Sequence, residues 1–414
     1  MSAEYRRSDL IYDWNAVGHK TAAGRRPEFD DETLRDGLQG PSVVNPTLDQ
    51  KLEILHLIEA LGIDGADIGL PGAGPVAYEH VLELSKEIQR EGMKILPNCA
   101  ARTVRADIEP IARAMDEAGV QMEAAIFLGC SQIRQVVENW DLDFLLKTTE
   151  TAVKLAVDLG LVAMYVTEDT TRTHPEIVTQ LYRCAIENGA RRVVVADTVG
   201  HSTPAGAASI VTHVKKVIEE SGEDVKLDWH GHRDRGLDVA NSIAAFEAGA
   251  DRLHGAGIGI GERCGNCPMD TLLVNMKLLG YIDNDLRRLG EYARAVSDAV
   301  DIPIPRNYPV VGSDAFETAT GVHAAAVVKA MRLKDDWLAN RVYSSVPADE
   351  VGQKQVIRVG PMSGRSNILY WLAARNIEVT DERVERIFSA AKASSHTLTD
   401  EEIHAAIESG NTEA

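Results

Sequence analysis

The sequence predicts an α/β protein with a (β/α)8 TIM barrel and a C-terminal, mostly helical lid or extension. Between residue 28 and about residue 280, short apolar runs alternate with longer amphipathic segments. Several of these amphipathic segments end in glycine, as helices commonly do. Eight such units in roughly 250 residues match the strand count and length of this barrel. A doubly wound open sheet is the alternative, and it usually has fewer strands.

The predicted strands and helices follow one another at regular intervals. The strand-like runs are residues 28–35, 64–70, 94–100, 121–129, 161–169, 191–197, 225–232 and 251–260. The helical candidates between them include residues 48–62, 175–189 and 236–249. Strands that alternate with helices predict parallel pairing through right-handed crossovers.

The alternation stops after residue 290. Residues 302–312 are proline-rich and predict a linker, whereas residues 321–332 predict a helix. A turn-rich segment lies around residues 341–364, and the remainder is predicted to be helical to about residue 408. We therefore divide the chain into an N-terminal extension (1–26), a barrel (27–290), and a linker with C-terminal helical subdomains (291–414).

Composition excludes several classes of protein. A chain of 414 residues that is 44% hydrophobic can bury a large core. Its net charge of −20 argues against a nucleic-acid surface, which needs a basic stripe. We expect no membrane span and no signal peptide, and therefore a cytoplasmic protein. Five cysteines predict reduced thiols; Cys264 and Cys267 have CxxC spacing, but no second pair completes a zinc site.

The pair His230-Gly-His232 is a candidate for metal binding. Side chains two apart in a strand point to the same face, so both imidazoles can reach one ion. Asp36 follows another predicted strand and can add a carboxylate. Mixed nitrogen and oxygen ligands suit a catalytic divalent ion and admit zinc, manganese or magnesium. Alternatively, the two histidines are simply polar residues at a strand end.

The placement of the other polar residues favours a functional site. Catalytic groups of this barrel lie at the carboxyl ends of its strands. The polar groups that follow predicted strands are Arg35-Asp36, Glu168-Asp169, Asp197-Thr198, His230 with His232, and the glycine run 255–261 with Glu262.

Several motifs, in order, resemble one enzyme family. DETLRDGLQ (31–39), the HGH pair and GIGIGERCGN (257–266) are similar to motifs of the isopropylmalate/homocitrate/citramalate synthases, a branch of the DRE-TIM metallolyases related to HMG-CoA lyase. The resemblance continues through the segments 165–173, 196–200, 239–251, 312–330, 341–352 and 363–367. It covers roughly residues 28 to 400.

The resemblance implies a Claisen-type condensation of acetyl-CoA with a 2-oxo acid, giving a 2-hydroxy di- or tricarboxylic acid in amino-acid biosynthesis. Such an acyltransferase uses a divalent metal ion and acts on small molecules. The implied metal ligands are Asp36, His230, His232 and Asn266. The implied catalytic residues are Arg35, Glu168, His323 and Tyr343. The implied substrate-binding residues are Gln39, Thr198, Arg172 and Glu262.

The implied roles follow the chemistry of the reaction. Arg35 would stabilise developing negative charge as a permanent cation. His323 would act as the base, with Glu168 and Tyr343 completing a proton relay. In the family the C-terminal segment lies over the partner subunit's barrel, which implies a domain-swapped homodimer. We interpret the glycine run as a close approach to the CoA end of the substrate, rather than as a dinucleotide fingerprint, which belongs after the first strand.

This chain also departs from the family pattern. The synthases usually have DTTLRDGEQ, whereas here Glu32 stands second in the motif and Leu38-Gln39 ends it, as in HMG-CoA lyases. Ala125 replaces a usual histidine, and Asp67 a usual glutamate. The segment 233–235 replaces a usual Asn-Asp. Because these positions lie where the side chain of the oxo acid would sit, the resemblance does not fix the oxo acid.

Two other functions are weighed against the synthase. An HMG-CoA-lyase-like enzyme would cleave a carbon–carbon bond at the same metal site. Lyases place a catalytic cysteine in a GCPxAxG segment, whereas Cys264 lies inside GERCGN. A catalytically silent metal-binding or scaffold protein is the third reading, and the full set of acid, base and ligand candidates disfavours it.

Overall fold

The eight predicted strands form a closed parallel barrel, which confirms the (β/α)8 prediction and excludes an open sheet. The computed structural model describes residues 6–16, 22 and 24–409. Each strand pairs with the next along the chain, and the eighth returns to the first. The strands are β1 (Glu28–Asp31), β2 (Gly65–Asp67), β3 (Leu96–Arg102), β4 (Glu123–Gly129), β5 (Val162–Glu168), β6 (Arg192–Asp197), β7 (Lys226–Gly231) and β8 (Arg252–Gly255).

In the described part of the chain up to residue 300, ten α-helices follow or flank these strands. They are α1 (Leu48–Ala60), α2 (Pro75–Glu91), α3 (Arg105–Ala118), α4 (Gln132–Glu138), α5 (Leu142–Asp158), α6 (Pro175–Glu187), α7 (Pro204–Ser221), α8 (Asp238–Ala248), α9 (Met269–Leu278) and α10 (Leu289–Val300). Local signals set their ends: the Thr47 side chain forms a capping box with Gln50 at the start of α1. Gly92 ends α2 at φ 61°, a left-handed conformation that glycine adopts without strain.

The last predicted strand ends earlier than its sequence indicated. Residues 251–260 form β8 only as far as Gly255, and a short 3-10 turn over Gly257–Gly259 follows. Ile258 in this turn has φ 50°, which a strand cannot contain. The apolar run therefore records burial rather than strand conformation.

The barrel has two apolar regions separated by the strands. Outward-facing residues such as Phe29, Val193 and Trp229 are fully buried against the helices in the main core. Inside the barrel, Ala125, Met164 and Val194 form a separate small cluster. A strand buried on both faces has a continuous apolar sequence, which explains the run at residues 193–196.

The C-terminal region is mostly helical, as predicted. Residues 302–312 contain no helix or strand. Beyond them lie α11 (Gly321–Arg332), α12 (Asp336–Ala339), α13 (Arg365–Ala374), α14 (Asp381–Ala393) and α15 (Asp400–Glu408). The turn-rich segment also contains Val356–Ile357 (β10), a short strand that pairs in parallel with Glu317–Thr318 (β9).

This region has its own apolar cores. Ala324, Val327 and Val328 of α11 pack with Ile357, and a second cluster around Trp371 joins α13, α14 and α15. None of the helices in the described part of the chain is long and apolar enough to cross a membrane.

Candidate active site

A cavity of about 280 Å³ opens where the carboxyl ends of the barrel strands meet. Its polar lining comes from the ends of β1, β5, β6, β7 and β8, and its apolar lining from β3 to β6. The polar residues are Glu32, Arg35, Asp36, Gln39, Glu168, Thr198, His230, His232, His254, Glu262 and Arg263. The apolar residues are Ala100, Ala125, Phe127, Met164, Val166, Val194 and Ala196.

Asp36, His230 and His232 converge on one point of this cavity. Asp36 Oδ2 lies 3.4 Å from His230 Nε2 and 3.6 Å from His232 Nε2. The three ligand atoms all lie within 4.8 Å of one another, and all three residues are buried. Two atoms each about 2.1 Å from one ion at the tetrahedral angle would be roughly 3.4 Å apart. The spacing therefore fits a shared divalent ion.

Beside this cluster, the buried atoms Nδ1 of His232 and Oδ1 of Asn266 have no hydrogen-bond partner among the described residues. Asn266 forms a backbone bridge to His232, and its amide nitrogen donates to Ile260 O at 3.1 Å. Burial, followed by the neighbouring His230, lowers the pKa of His232 to about 4. His232 is therefore a neutral imidazole with a free lone pair, and the donor set fits a metal ion.

Glu32, which departs from the family motif, is a further site residue that was not among the predicted ligands or catalytic groups. Its Oε2 lies 2.7 Å from His230 Nδ1, and its Oε1 lies 3.0 Å from His254 Nδ1. Burial alone would raise the pKa of Glu32, but the two histidines hold it well below its usual range. A carboxylate on Nδ1 fixes the tautomer of His230 and leaves Nε2 to face Asp36.

His254 connects Glu32 to a buried ionic layer inside the barrel. Its Nε2 lies 3.0 Å from Asp228 Oδ2, and Asp228 also pairs with Arg192 and Arg252 at 2.7 Å each. Burial alone would lower the pKa of His254, but the charge of Glu32 and the hydrogen bond to Asp228 raise this pKa to about 10. The sequence could have identified Asp228 as an inward-facing residue, because Asp228 lies two residues before His230 and shares its face of the strand.

Glu32, His230 and His254 are a second set of potential metal ligands within 4.8 Å of one another. Their facing atoms are already engaged in the contacts described above. Asp36, His230 and His232 line the cavity, so this set is the better candidate for a metal ion.

Arg35 is held rigidly at the cavity wall. Its Nε donates to Asp67 Oδ2 at 2.6 Å, and its Nη2 lies 3.3 Å from Glu32 Oε1. Burial raises the pKa of Asp67 to about 7, although Arg35 opposes this shift. Asp67 does not line the cavity. It acts on the site by orienting Arg35.

The predicted substrate-binding residues are placed differently from one another. Gln39, Thr198 and Glu262 line the cavity. Arg172 does not line it, because two 2.7 Å hydrogen bonds hold its guanidinium on Asp169. The backbone N–H of Asp169 donates to the Thr198 hydroxyl at 2.8 Å, so Arg172 lies one residue behind the cavity wall.

Glu168 also lines the cavity, at the end of β5. Burial raises the pKa of its carboxyl, and Arg134 opposes that shift. His323 and Tyr343 are elsewhere. Their rings stack with centroids 4.2 Å apart and an interplanar angle of 27°, and both side chains are exposed. Neither residue lines the cavity of its own chain.

The glycine run packs closely against its own backbone and against Asn266. A Cβ on Gly265 would lie 1.8 Å from the carbonyl oxygen of Gly259, and one on Gly261 would lie 2.3 Å from the side chain of Asn266. These glycines therefore allow the chain to approach itself closely. The expected approach of this run to the CoA end of the substrate stays a prediction.

Comparisons with known proteins agree with this arrangement. Residues 26–296 match the profile of the family described as HMGL-like. The chain is 34% identical over 366 residues to homocitrate synthase AksA of Methanopyrus kandleri, covering 88% of this chain and 86% of that protein. It is 33% identical over 371 residues to a probable 2-isopropylmalate synthase of the same organism, covering 89% and 69%. The solved structure of Bacillus subtilis HMG-CoA lyase superposes with a TM-score of 0.56 at 18% identity, over 68% of this chain and 96% of that one.

Proposed function

The chain belongs to the HMGL-like family, and from that premise we propose that it is a metal-dependent acyltransferase condensing acetyl-CoA with a 2-oxo acid. The observation that carries the proposal is the convergence of Asp36, His230 and His232 on one point of a cavity that Arg35 also faces. Curated relatives named as synthases cover 88% and 89% of the chain. Such coverage reaches beyond the barrel.

The residues around the cavity suit the two charges that the reaction develops. A bound divalent ion would polarise the carbonyl of the oxo acid. Arg35 keeps its proton at any working pH and is fixed by Asp67, so it would stabilise the enolate of the thioester and the new alkoxide. Because its position is set before substrate binds, this stabilisation needs little reorganisation.

Thr198 is prepared to hold the carboxylate of the oxo acid. Its hydroxyl oxygen already accepts a hydrogen bond from Asp169 N, so its own proton is free to donate. Arg172 would act indirectly, by holding Asp169 in place. Gln39 and Glu262 offer further polar contacts at the cavity.

The proton relay requires a second subunit. Glu168 lies in the cavity, but His323 and Tyr343 do not. We propose that they complete the site of the other chain in a domain-swapped homodimer, where His323 removes the proton from the acetyl methyl group. The exposed, stacked pair and the largely exposed Val322 beside it support a surface that another chain covers.

The proposal is tested by release of CoA. The full-length protein with a divalent metal, acetyl-CoA and a panel of 2-oxo acids should release CoA, detected with a thiol reagent, only when metal and oxo acid are both present. Asp36→Asn should lose this activity, because the substitution removes the negative charge of a proposed metal ligand. Asp285→Asn is the matched control, because Asp285 is exposed and pairs only locally with Arg287.

Two results would contradict the proposal. The first is the absence of CoA release with pyruvate, 2-oxoisovalerate, 2-oxoglutarate, oxaloacetate and bulkier acids. The second is cleavage of HMG-CoA to acetyl-CoA, which would assign the lyase reaction to the same metal site.

A further inference from the structure

The inner wall of the barrel at the level of the cavity is divided into two halves. β7, β8 and the turn after β1 contribute the ionisable groups around Asp36. β3 to β6 contribute an apolar wall of Ala100, Ala125, Phe127, Met164, Val166, Val194 and Ala196. The register places these residues side by side: Ala125 lies beside Ala100 and Met164, and Val166 lies beside Val194.

The apolar wall differs from the layer directly beneath it. There, Glu123 and Arg192 on β4 and β6 are paired across the barrel with 3.1 Å between Arg192 Nε and Glu123 Oε1. Two residues further along the same strands, the inward positions are Ala125 and Val194. With Met164 they form an apolar cluster separate from the main core, and they also line the cavity. An apolar surface facing a cavity of this kind favours an apolar ligand group.

The arginines near the cavity are already engaged. Arg35 pairs with Asp67 and Glu32. Arg263 pairs with Asp234 at 2.9 Å and donates to the Thr198 carbonyl oxygen at 2.7 Å.

Arg134 contacts Glu138 at 3.2 Å and also lowers the pKa of Glu168 through its charge, but it does not line the cavity. Among the described lining residues of β3 to β6, the only charged one is Glu168, at the rim of the wall. A second carboxylate of the substrate, placed against this wall, would therefore lose its hydration without gaining a cationic partner. It would also lie near the negatively charged Glu168.

We propose that the apolar wall binds the R group of the 2-oxo acid, and that this group is uncharged and apolar. The inference rests on the proposed function and narrows it. The enzyme would select monocarboxylic 2-oxo acids over 2-oxoglutarate and oxaloacetate. Three of the seven wall residues are alanines, Ala100, Ala125 and Ala196, which leaves room for a branched group rather than the methyl of pyruvate alone.

The first test is a comparison of kcat/KM across 2-oxo acids with the metal-loaded full-length enzyme. 2-Oxoisovalerate or 2-oxo-4-methylpentanoate should exceed 2-oxoglutarate and oxaloacetate by at least about 100-fold, because the dicarboxylic acids leave a buried charge unpaired. The best substrate being a dicarboxylic acid would overturn the inference and leave the condensing activity standing. CoA release with no oxo acid at all would overturn the proposed function itself.

The second test locates the R group by filling the wall. Ala125→Leu should lower kcat/KM for branched acids by about 10-fold or more relative to pyruvate, because the added side chain occupies their space. Calorimetric binding of the same acids to the metal-loaded variant should show the same change in selectivity without turnover. Ala205→Leu, on the exposed face of α7, is the matched control for the substitution.

An equal loss for pyruvate and for branched acids in Ala125→Leu, with an unchanged circular dichroism spectrum, would overturn the location of the R group. A selective loss for the branched acids would support it.

Discussion

Replacing Glu32 by Gln tests whether this residue supports the metal site. Glu32 contacts His230 Nδ1 at 2.7 Å and is buried. Glutamine keeps the shape and an oxygen acceptor but removes the negative charge. His230 would then lose the partner that fixes its tautomer and increases its basicity toward the ion. We expect Glu32→Gln to bind a divalent metal more weakly while keeping its fold.

The expected magnitude follows from the type of hydrogen bond that is lost. A hydrogen bond to a charged group contributes about 1.5–3 kcal/mol, and one between neutral groups about 0.5–1.5 kcal/mol. Replacing the first by the second costs His230 about 1–2 kcal/mol. Because about 1.4 kcal/mol is a tenfold change in affinity, the Kd for the metal should rise about 10-fold. This agrees with the roughly 10–100-fold losses typical of residues that orient metal ligands.

The assay is a competition titration of Zn²⁺ or Mn²⁺ against a chromophoric chelator, with circular dichroism to verify the fold. Glu262→Gln is the matched control. Glu262 lines the same cavity, but its side chain is half exposed and its contact is with Arg263. A Kd within twofold of the wild-type value in Glu32→Gln would refute the proposed role of Glu32.

Three further predictions concern the shared site, pH and the buried ionic layer. His323→Ala and Asp36→Asn should each be inactive, and His323→Ala should retain metal. An equal mixture of the two variants after subunit exchange should regain about a quarter of wild-type activity, because half of the dimers then contain one intact site. Burial raises the pKa of Asp31 from 3.8 to about 6. The stability that the protonated carboxyl of Asp31 contributes below pH 3.8 is therefore lost as the pH rises through about 6. The free energy of unfolding of wild type relative to Asp31→Asn should therefore fall by about 3 kcal/mol over that window. Arg252→Met should lower the free energy of unfolding by about 3–5 kcal/mol, because Glu123 and its carboxylate neighbours lose a buried partner.

Each of these has a measurement that decides it. Activity in His323→Ala alone, or none in the exchanged mixture, would remove the shared site. Urea unfolding from pH 3.5 to 7 measures the Asp31 effect, and parallel curves for the two proteins would contradict it. Urea unfolding at pH 7 also tests Arg252→Met, and a free energy of unfolding equal to that of the wild type would contradict the prediction.

The sequence was sufficient to predict the barrel and much of its cavity. Eight apolar runs alternating with amphipathic segments define the strand count, and helix ends were marked by local signals such as Thr47 and Gly92. The HxH spacing and the positions of Arg35 and Asp36 after a strand were enough to place polar groups at one end of the barrel. These signals are local along the chain, so periodicity and spacing report them directly.

The partners of those groups were decided only by the tertiary structure. Strands buried on both faces lose the alternation of apolar and polar residues that would separate inward from outward side chains. Nothing in residues 192–197 therefore distinguishes Val194, on the cavity wall, from Val193 and Val195 in the outer core. Glu32 and His254 are 222 residues apart and meet because β1 closes against β8. His323 and Tyr343 stack on each other and lie outside the cavity, because their segment packs in its own core. Closure of the barrel brings together residues that are distant along the chain, and a single sequence contains no periodicity that records this.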